Sequence, residues 1–369
     1  MIYLDNGATS FHKPEAVHRA VSGALRRCAN PGRGGYGAAK YASEVVYRCR
    51  ESAAKLFDCT EEQVVFTSNC THGLNIAINS IVRPGAKVAV SGFEHNAVMR
   101  PLYALGANIT ICGRKLFDRG DTLQAFESAL KKGVDAVVCT HVSNVFGYIL
   151  PVGEIGALCA RYGVPFILDA AQSAGTLPVA LNELKATFIA MPGHKGLLGP
   201  QGTGLLLCAD QGIPLLYGGT GNNSLDRSMP EQLPERLEAG TLNVPGIAGL
   251  SAGLAYLKQR GIADIHRKEC VQASRCIAGL KELGCTVFSG ENQSGTVSFL
   301  PGGDCEETAA FLAEKGIAVR AGIHCAPLAH ESAGTLDSGT VRISFGHDAA
   351  KWQTDRLLKT LALCRGNVM

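Results

Sequence analysis

Between about Glu61 and Leu207 the chain alternates short apolar runs with longer segments of helical spacing. Seven runs have the composition of strands: VVFTS, KVAVSG, ITICG, AVVCTHVS, PFILDAA, TFIAMPG and GLLLCA. Amphipathic segments such as DTLQAFESALKKG separate several of them. Apolar strands separated by helices are typical of a mainly parallel sheet that helices cover on both faces. We therefore expect an α/β fold whose ligands bind at the carboxyl ends of the strands.

The pattern changes after Val244. Two long helical segments, GIAGLSAGLAYLKQRG and DIHRKECVQASRCIAGLKELG, precede four strand-like runs, TVFSG, GTVSFLPG, GIAVRAG and GTVRISFG. The helical segments CEETAAFLAEKG and KWQTDRLLKTLALC follow the same periodicity. This mixture indicates a smaller α+β domain. We assign residues 15–245 to a large α/β domain, and residues 1–14 and 246–369 to the small domain.

Composition narrows the classes of function. A chain of 369 residues with 46% hydrophobic residues has room for two domains. The net charge of +3 comes without basic runs interleaved with aromatic residues, so we expect neither a nucleic acid nor a membrane as partner. The start, MIYLDNGATS, does not read as an export signal, and we expect a cytoplasmic protein. The 14 cysteines lack zinc-site spacing, so we expect no metal site.

Two strand ends carry residues of interest for catalysis. In MPGHKGLLGPQGTG, His194 and Lys195 follow a strand, and a lysine in apolar surroundings can form a Schiff base. In PFILDAAQSAG, Asp169 ends the preceding strand and Gln172 follows it. A carboxylate in this position can keep a pyridine nitrogen protonated, although Asp169 alone is equally explained as a helix cap. An aspartate and a lysine at consecutive strand ends together favour pyridoxal phosphate as cofactor.

Three further strand ends could complete such a site. Residues 68–73 pass from strand to helix in VVFTSNCTHGLN, where the amides of Cys70 and Thr71 would point at a phosphate, although simple helix capping explains the same letters. SGFEHNAV offers His95, which could stack on a ring and move protons. THVSNVFG places Asn144 at a further strand end.

The order of these motifs resembles that of the class V aminotransferase-like enzymes, which are fold-type I pyridoxal-phosphate-dependent transferases. Within that group the chain is similar to cysteine desulfurases and selenocysteine lyases. The resemblance extends over nearly the whole chain, through YLDNGATS, TSNCTHGLN, EHNAV, HVSNVFG, DAAQS, GHKGLLGPQGTG, RLEAGTLN, RAGIHCAP and VRISF. It implies pyridoxal 5'-phosphate as cofactor and a homodimer as the assembly.

The resemblance also implies a role for each matching residue. Around the ring, Lys195 would be bonded to the cofactor, Asp169 would lie at the pyridine nitrogen, Gln172 near the ring hydroxyl and His95 stacked on the ring, with Asn144 in the same crevice. At the phosphate, the resemblance places His194 and Thr71 beside Cys70, and Thr241 would reach the phosphate across the dimer interface. Arg342 would bind the substrate carboxylate. Many relatives carry threonine where Cys70 stands and serine where Pro192 stands, so the phosphate has fewer hydroxyl donors here.

Cys325 in RAGIHCAP corresponds to the family's sulfur-accepting cysteine. The implied reaction converts L-cysteine to L-alanine after Lys195 removes the α-proton, and leaves a persulfide on Cys325 for an acceptor protein. His324 or His95 could help to form the thiolate. A selenocysteine lyase, an aminotransferase that does not use Cys325 and a non-catalytic protein with a degenerate site remain alternatives.

Overall fold

The computed structural model describes residues 1–32, 34–221 and 225–366, and elements are numbered along the chain. The strands are β1 (Ile2–Tyr3), β2 (Val64–Thr67), β3 (Lys87–Ser91), β4 (Asn108–Cys112), β5 (Ala136–Thr140), β6 (Phe166–Asp169), β7 (Phe188–Pro192), β8 (Gly204–Cys208), β9 (Thr286–Phe288), β10 (Thr296–Leu300), β11 (Ile317–Ala318), β12 (Arg320–Gly322) and β13 (Thr340–Ser344). The helices are α1 (Glu15–Arg27), α2 (Gly37–Leu56), α3 (Cys70–Ile81), α4 (Asn96–Ala104), α5 (Arg119–Lys131), α6 (Val152–Tyr162), α7 (Val244–Arg260), α8 (Ile262–Glu282), α9 (Cys305–Glu314), α10 (Pro327–Ala333) and α11 (Lys351–Gly366).

A seven-stranded sheet forms the centre of the first part, in the order β2-β8-β7-β6-β5-β3-β4. Strand β8 runs antiparallel to both of its neighbours, and the other neighbouring pairs are parallel. In β5, Val137 and Cys139 face one apolar layer and Ala136 and Val138 face the other. Burial on both faces explains why these strands are almost wholly apolar. The expected α/β fold with a mainly parallel sheet is confirmed.

A four-stranded antiparallel sheet, ordered β12-β13-β10-β9, forms the second part, and its apolar residues share a separate core with α8 and α11. Strand β1 pairs in parallel with β11, so the first residues of the chain join this part. The run GIAVRAG, which reads as one strand, is divided between β11 and β12 in two different sheets.

Helix α7 begins at the domain boundary expected from the sequence but packs against α1 and α2. Its Leu250 and Leu254 belong to the core of the first part. The division at residues 245 and 246 stays a prediction, and this packing favours a boundary at the C-terminal end of α7. In the described ranges, no helix is long and apolar enough to cross a membrane.

Candidate active site

A cavity opens at the carboxyl ends of β5, β6 and β7, where the first turns of α3 and α4 also begin. It contains about 520 Å³ of empty space, part of which is open to solvent. The sequence-predicted residues that line it are Cys70, Thr71, His95, Asn144, Asp169, Gln172, His194 and Lys195. Residues from five separate strand ends therefore converge on one site, because parallel strands end at the same edge of the sheet.

Asp169 ends β6 and is 2% exposed. Its Oδ1 accepts a hydrogen bond from the backbone N–H of Ala171 at 2.8 Å. The Cys70 Sγ lies 3.5 Å from the same oxygen, within hydrogen-bond distance for sulfur. Among the described residues, no donor contacts Oδ2, so this oxygen can bind a protonated ring nitrogen.

Lys195 lies in the turn that follows β7 and lines the cavity. Burial lowers the pKa of its amine, and the nearby Asp169 carboxylate opposes this shift. In the described part of the chain, Nζ makes no hydrogen bond or ion pair. A lysine with a lowered pKa and an amine that has no protein partner is suited to covalent and general-base chemistry.

Two histidines of the site are neutral at physiological pH. His95 is the N-cap of α4, and its Nδ1 accepts a hydrogen bond from the Ala97 N–H at 3.0 Å. The proton is therefore assigned to Nε2, and burial lowers the His95 pKa. Burial, with a smaller contribution from the Lys195 charge, lowers the pKa of His194 to about 4.

The first turn of α3 provides donors for an anion. The Asn69 side chain caps the helix by accepting a hydrogen bond from the His72 N–H at 2.9 Å. Within the described ranges, the N–H groups of Cys70 and Thr71 have no protein acceptor. Free amides at a helix N-terminus favour a phosphate through both hydrogen bonds and the helix dipole.

Arg342 lies on β13, in the small antiparallel sheet, and is 2% exposed. Its Nη1 donates to the carbonyl of Asn144 at 2.9 Å, and its Nη2 donates to Asp5 Oδ1 at 2.6 Å. The buried Nε has no partner in the part of the chain that the structure describes. A buried guanidinium N–H without an acceptor marks the place where a ligand carboxylate can bind.

Cys325 is exposed in the turn between β12 and α10. His324 and Cys325 have φ angles of +53° and +58°, a left-handed conformation that is strained for residues other than glycine. Asn144 Nδ2 donates to the His324 carbonyl at 2.8 Å, and the Asn96 N–H donates to the Cys325 carbonyl at 2.8 Å. The turn is thus attached to one residue of the cavity and to the first residue of α4.

His324 does not act as a charged partner of the Cys325 thiol. Its side chain is buried, and Nε2 donates to the Thr340 carbonyl at 3.2 Å. Burial lowers its pKa to about 2, so the imidazole is neutral. A neutral His324 cannot stabilise a thiolate by its charge, and its contacts indicate that it anchors the turn.

The N-terminal strap, defined here as residues Asp5–Ser10, was not singled out residue by residue from the sequence. Its Asp5 pairs with Arg342, and the Gly7 carbonyl accepts from Gln172 Nε2 at 2.9 Å. Thr9 Oγ1 lies 3.0 Å from His194 Nδ1. The motif YLDNGATS was the one sign in the sequence that this segment belongs to the site. Several of the strap's contacts use backbone atoms, and residue types alone do not reveal such contacts.

Thr241 is the one predicted cofactor residue that lies outside the cavity. It is exposed and lines a different cleft, together with Ser68 and His72. Its contact with a cofactor across a dimer interface stays a prediction. Among the residues described, no group of three or more histidines, cysteines or acidic residues could hold a metal ion.

Comparison with known proteins places the chain in a family. Residues 2–357 match the model of the class-V aminotransferase family. A probable cysteine desulfurase of Pyrococcus abyssi is 34% identical, with 94% of this chain and 89% of the relative covered. A probable cysteine desulfurase of Methanothermobacter thermautotrophicus is 32% identical, with 98% and 94% covered.

Solved structures agree with the sequence comparison. The apo cysteine desulfurase of Thermococcus onnurineus superposes with a TM-score of 0.92 at 33% identity, covering 99% of this chain and 95% of the other. A cysteine desulfurase of Escherichia coli gives a TM-score of 0.87 at 27% identity, covering 98% and 94%. The chain belongs to the class V aminotransferase family of pyridoxal-phosphate-dependent enzymes, in the group that contains the cysteine desulfurases.

Proposed function

We propose that this protein is a pyridoxal-phosphate-dependent cysteine desulfurase that converts L-cysteine to L-alanine and accepts the sulfur on Cys325. The observation that carries the proposal is the attachment of the Cys325 turn to Asn144, a residue of the cavity that also holds Lys195 and Asp169. The family relationship supports the same reaction.

The residues of the cavity fit pyridoxal 5'-phosphate. Asp169 offers Oδ2 to a protonated ring nitrogen, and Lys195 offers an amine without a protein partner. The amides of Cys70 and Thr71, which have no acceptor among the described residues, suit the phosphate, and His194 lines the same cavity. Neutral His95 suits the face of an aromatic ring, and Gln172 lines the same space.

When bound, the cofactor supplies a carbonyl carbon for the substrate amine and a ring that delocalises electrons from the α-carbon. Arg342 holds the substrate carboxylate through its unpartnered Nε–H and an adjacent N–H. Lys195 then takes the α-proton, and the lowered pKa of its amine favours the neutral form that can accept this proton.

Cys325 performs the sulfur transfer as a thiolate. It attacks the substrate sulfur, so that an S–S bond forms and the substrate C–S bond breaks. The electron pair of the broken bond stays with the carbon fragment, which takes up a proton and leaves as alanine. The exposed position of Cys325 allows an acceptor protein to remove the persulfide sulfur.

A homodimer is the assembly that we propose, with Thr241 reaching the partner's cofactor. Its exposure and its position outside the cavity that holds Lys195 agree with contact to a second subunit. A sulfur-acceptor protein as partner and a cytoplasmic location stay predictions from the sequence.

Alanine release from L-cysteine under reducing conditions tests the proposed function. We expect Cys325→Ala to retain bound cofactor and to lose at least about a hundredfold in rate, as expected for removal of a nucleophile. The control Cys364→Ala, a partly buried cysteine on α11, keeps the wild-type rate. Alanine release that does not depend on Cys325 contradicts the assignment of Cys325 as sulfur acceptor. Alanine release from L-selenocysteine but not from L-cysteine would identify selenocysteine as the substrate.

A further inference from the structure

Cys70 and Asp169 contact each other inside the cavity. Cys70 is the first residue of α3 and is 8% exposed, and its Sγ lies 3.5 Å from Asp169 Oδ1. The N–H of Ala171 donates to the same oxygen. Two donors on one oxygen restrict rotation of the carboxylate and leave Oδ2 available to a ligand.

The thiol of Cys70 is the donor in this contact. Burial raises its pKa well above the usual range, and the negative charge of Asp169 raises it further, while Lys195 acts in the opposite direction. A thiolate would place two negative charges side by side in a buried position. Cys70 therefore stays protonated, which also separates it from the sulfur chemistry of the exposed Cys325.

We propose that Cys70 is a positioning residue whose S–H group orients Asp169 for the pyridine nitrogen of the cofactor. This inference rests on the proposed function because it requires bound pyridoxal phosphate. Where many relatives carry a threonine hydroxyl for the phosphate, this chain carries a thiol that bonds to the carboxylate.

The proposal has a spectroscopic consequence. Asp169 holds a proton on the ring nitrogen, and the resulting positive charge changes the electron distribution of the whole ring. The pH at which the visible absorption of the bound cofactor changes therefore depends on how well the carboxylate is oriented. Loss of the S–H donor should move this midpoint and weaken cofactor binding.

The isosteric pair Cys70→Thr and Cys70→Val separates the donor from the packing. Threonine keeps a hydrogen-bond donor and valine keeps only the volume. We therefore expect the threonine variant to keep the wild-type absorption midpoint, which a hydroxyl directed to the phosphate instead of Asp169 would not restore. For the valine variant we expect a cofactor dissociation constant raised about threefold to tenfold, the usual effect of one hydrogen bond. We also expect an absorption midpoint displaced by about half to one pH unit.

Equal behaviour of the threonine and valine variants, whether both are impaired or both are unchanged, would overturn the proposal. Cys139→Ala is the matched control, since this buried thiol contacts the Thr140 carbonyl at 3.2 Å rather than a carboxylate. If the valine variant does not fold, Cys70→Ala against Cys70→Ser gives the same comparison. A wild-type protein that binds no cofactor would overturn the proposed function as well, and this result is distinguishable from the others.

Discussion

At the scale of single residues, the proposed role of Arg342 gives it two carboxylates to bind. Asp5 occupies its Nη2, and the Nε, which has no partner among the described residues, is the group proposed for the substrate. A bound substrate carboxylate therefore lies close to the negative charge of Asp5, which opposes its binding. The same charge compensates a guanidinium that is almost completely buried, and so stabilises the fold.

Asp5→Asn should therefore strengthen substrate binding and lower the stability of the fold. Asparagine keeps an oxygen acceptor for Nη2 but removes the charge that repels the substrate carboxylate. We expect the KM for L-cysteine to fall about threefold to tenfold with kcat nearly unchanged, and the free energy of unfolding to fall by about 1 to 3 kcal/mol. Steady-state kinetics and urea denaturation measure the two effects.

Asp355→Asn is the matched control for this prediction. Asp355 forms ion pairs with Arg275 and Lys351 at the surface, where such pairs contribute little. We expect this variant to keep the wild-type KM and nearly the wild-type stability. A KM that rises in Asp5→Asn would mean that Asp5 assists substrate binding by holding the guanidinium in place, contrary to the argument above.

At the scale of elements, the turn between β12 and α10 presents Cys325 in a fixed conformation. Two consecutive left-handed residues are stable here because Asn144 Nδ2 and the Asn96 N–H donate to the carbonyls of these two residues. Helix α10 begins directly afterwards at Pro327, whose fixed φ suits the first turn of a helix. The turn is short and anchored at both ends, so we expect it to keep the thiol in one place.

His324→Asn tests whether the preceding histidine activates the thiol. Asparagine tolerates a positive φ, so the substitution removes the imidazole with little strain on the turn. We expect the rate of Cys325 alkylation by iodoacetamide to follow the same pH curve as in the wild type, because His324 is neutral and bonded to Thr340. Mass spectrometry of the Cys325 peptide measures the rate, and a loss of more than about tenfold near pH 7 would assign the activation to His324.

The strands of the central sheet were predictable, whereas some local elements were not. Parallel strands buried on both faces are apolar along their whole length, and this pattern is visible in the sequence. Helix α10 has seven residues, too few to show a helical period, and was not predicted. The division of GIAVRAG into β11 and β12 depends on pairing with two distant segments, which local composition does not encode.

At the scale of the whole molecule, the site is assembled from both parts of the chain. Arg342 and Cys325 come from the small-domain region, whereas Asp169 ends one strand of the large sheet and Lys195 follows the next. The N-terminal strap runs between them, from Asp5 to the contacts of Ser10 with the carbonyls of residues 194 and 195. Strand ends could be predicted to converge, but these contacts between regions distant in sequence could not.

Substitution of Thr241 tests whether one subunit contains all the residues that bind its own cofactor. It is exposed and lies in a cleft apart from the Lys195 cavity, which agrees with a role at the cofactor phosphate of a partner. We expect Thr241→Ala to raise the cofactor dissociation constant about tenfold, as for a lost hydrogen bond to a charged group. Fluorescence or absorption titration with pyridoxal phosphate measures this change.

A hybrid dimer distinguishes action across the interface from action within one chain. If Lys195→Ala and Thr241→Ala subunits carry different affinity tags, the mixed dimer can be purified. Action across the interface gives one site with both native residues and one site with neither, so we expect about half of the wild-type activity at limiting cofactor. Action within one chain leaves no site with both native residues. The activity of the hybrid, calculated per subunit that contains Lys195, would then be no higher than that of the Thr241→Ala homodimer.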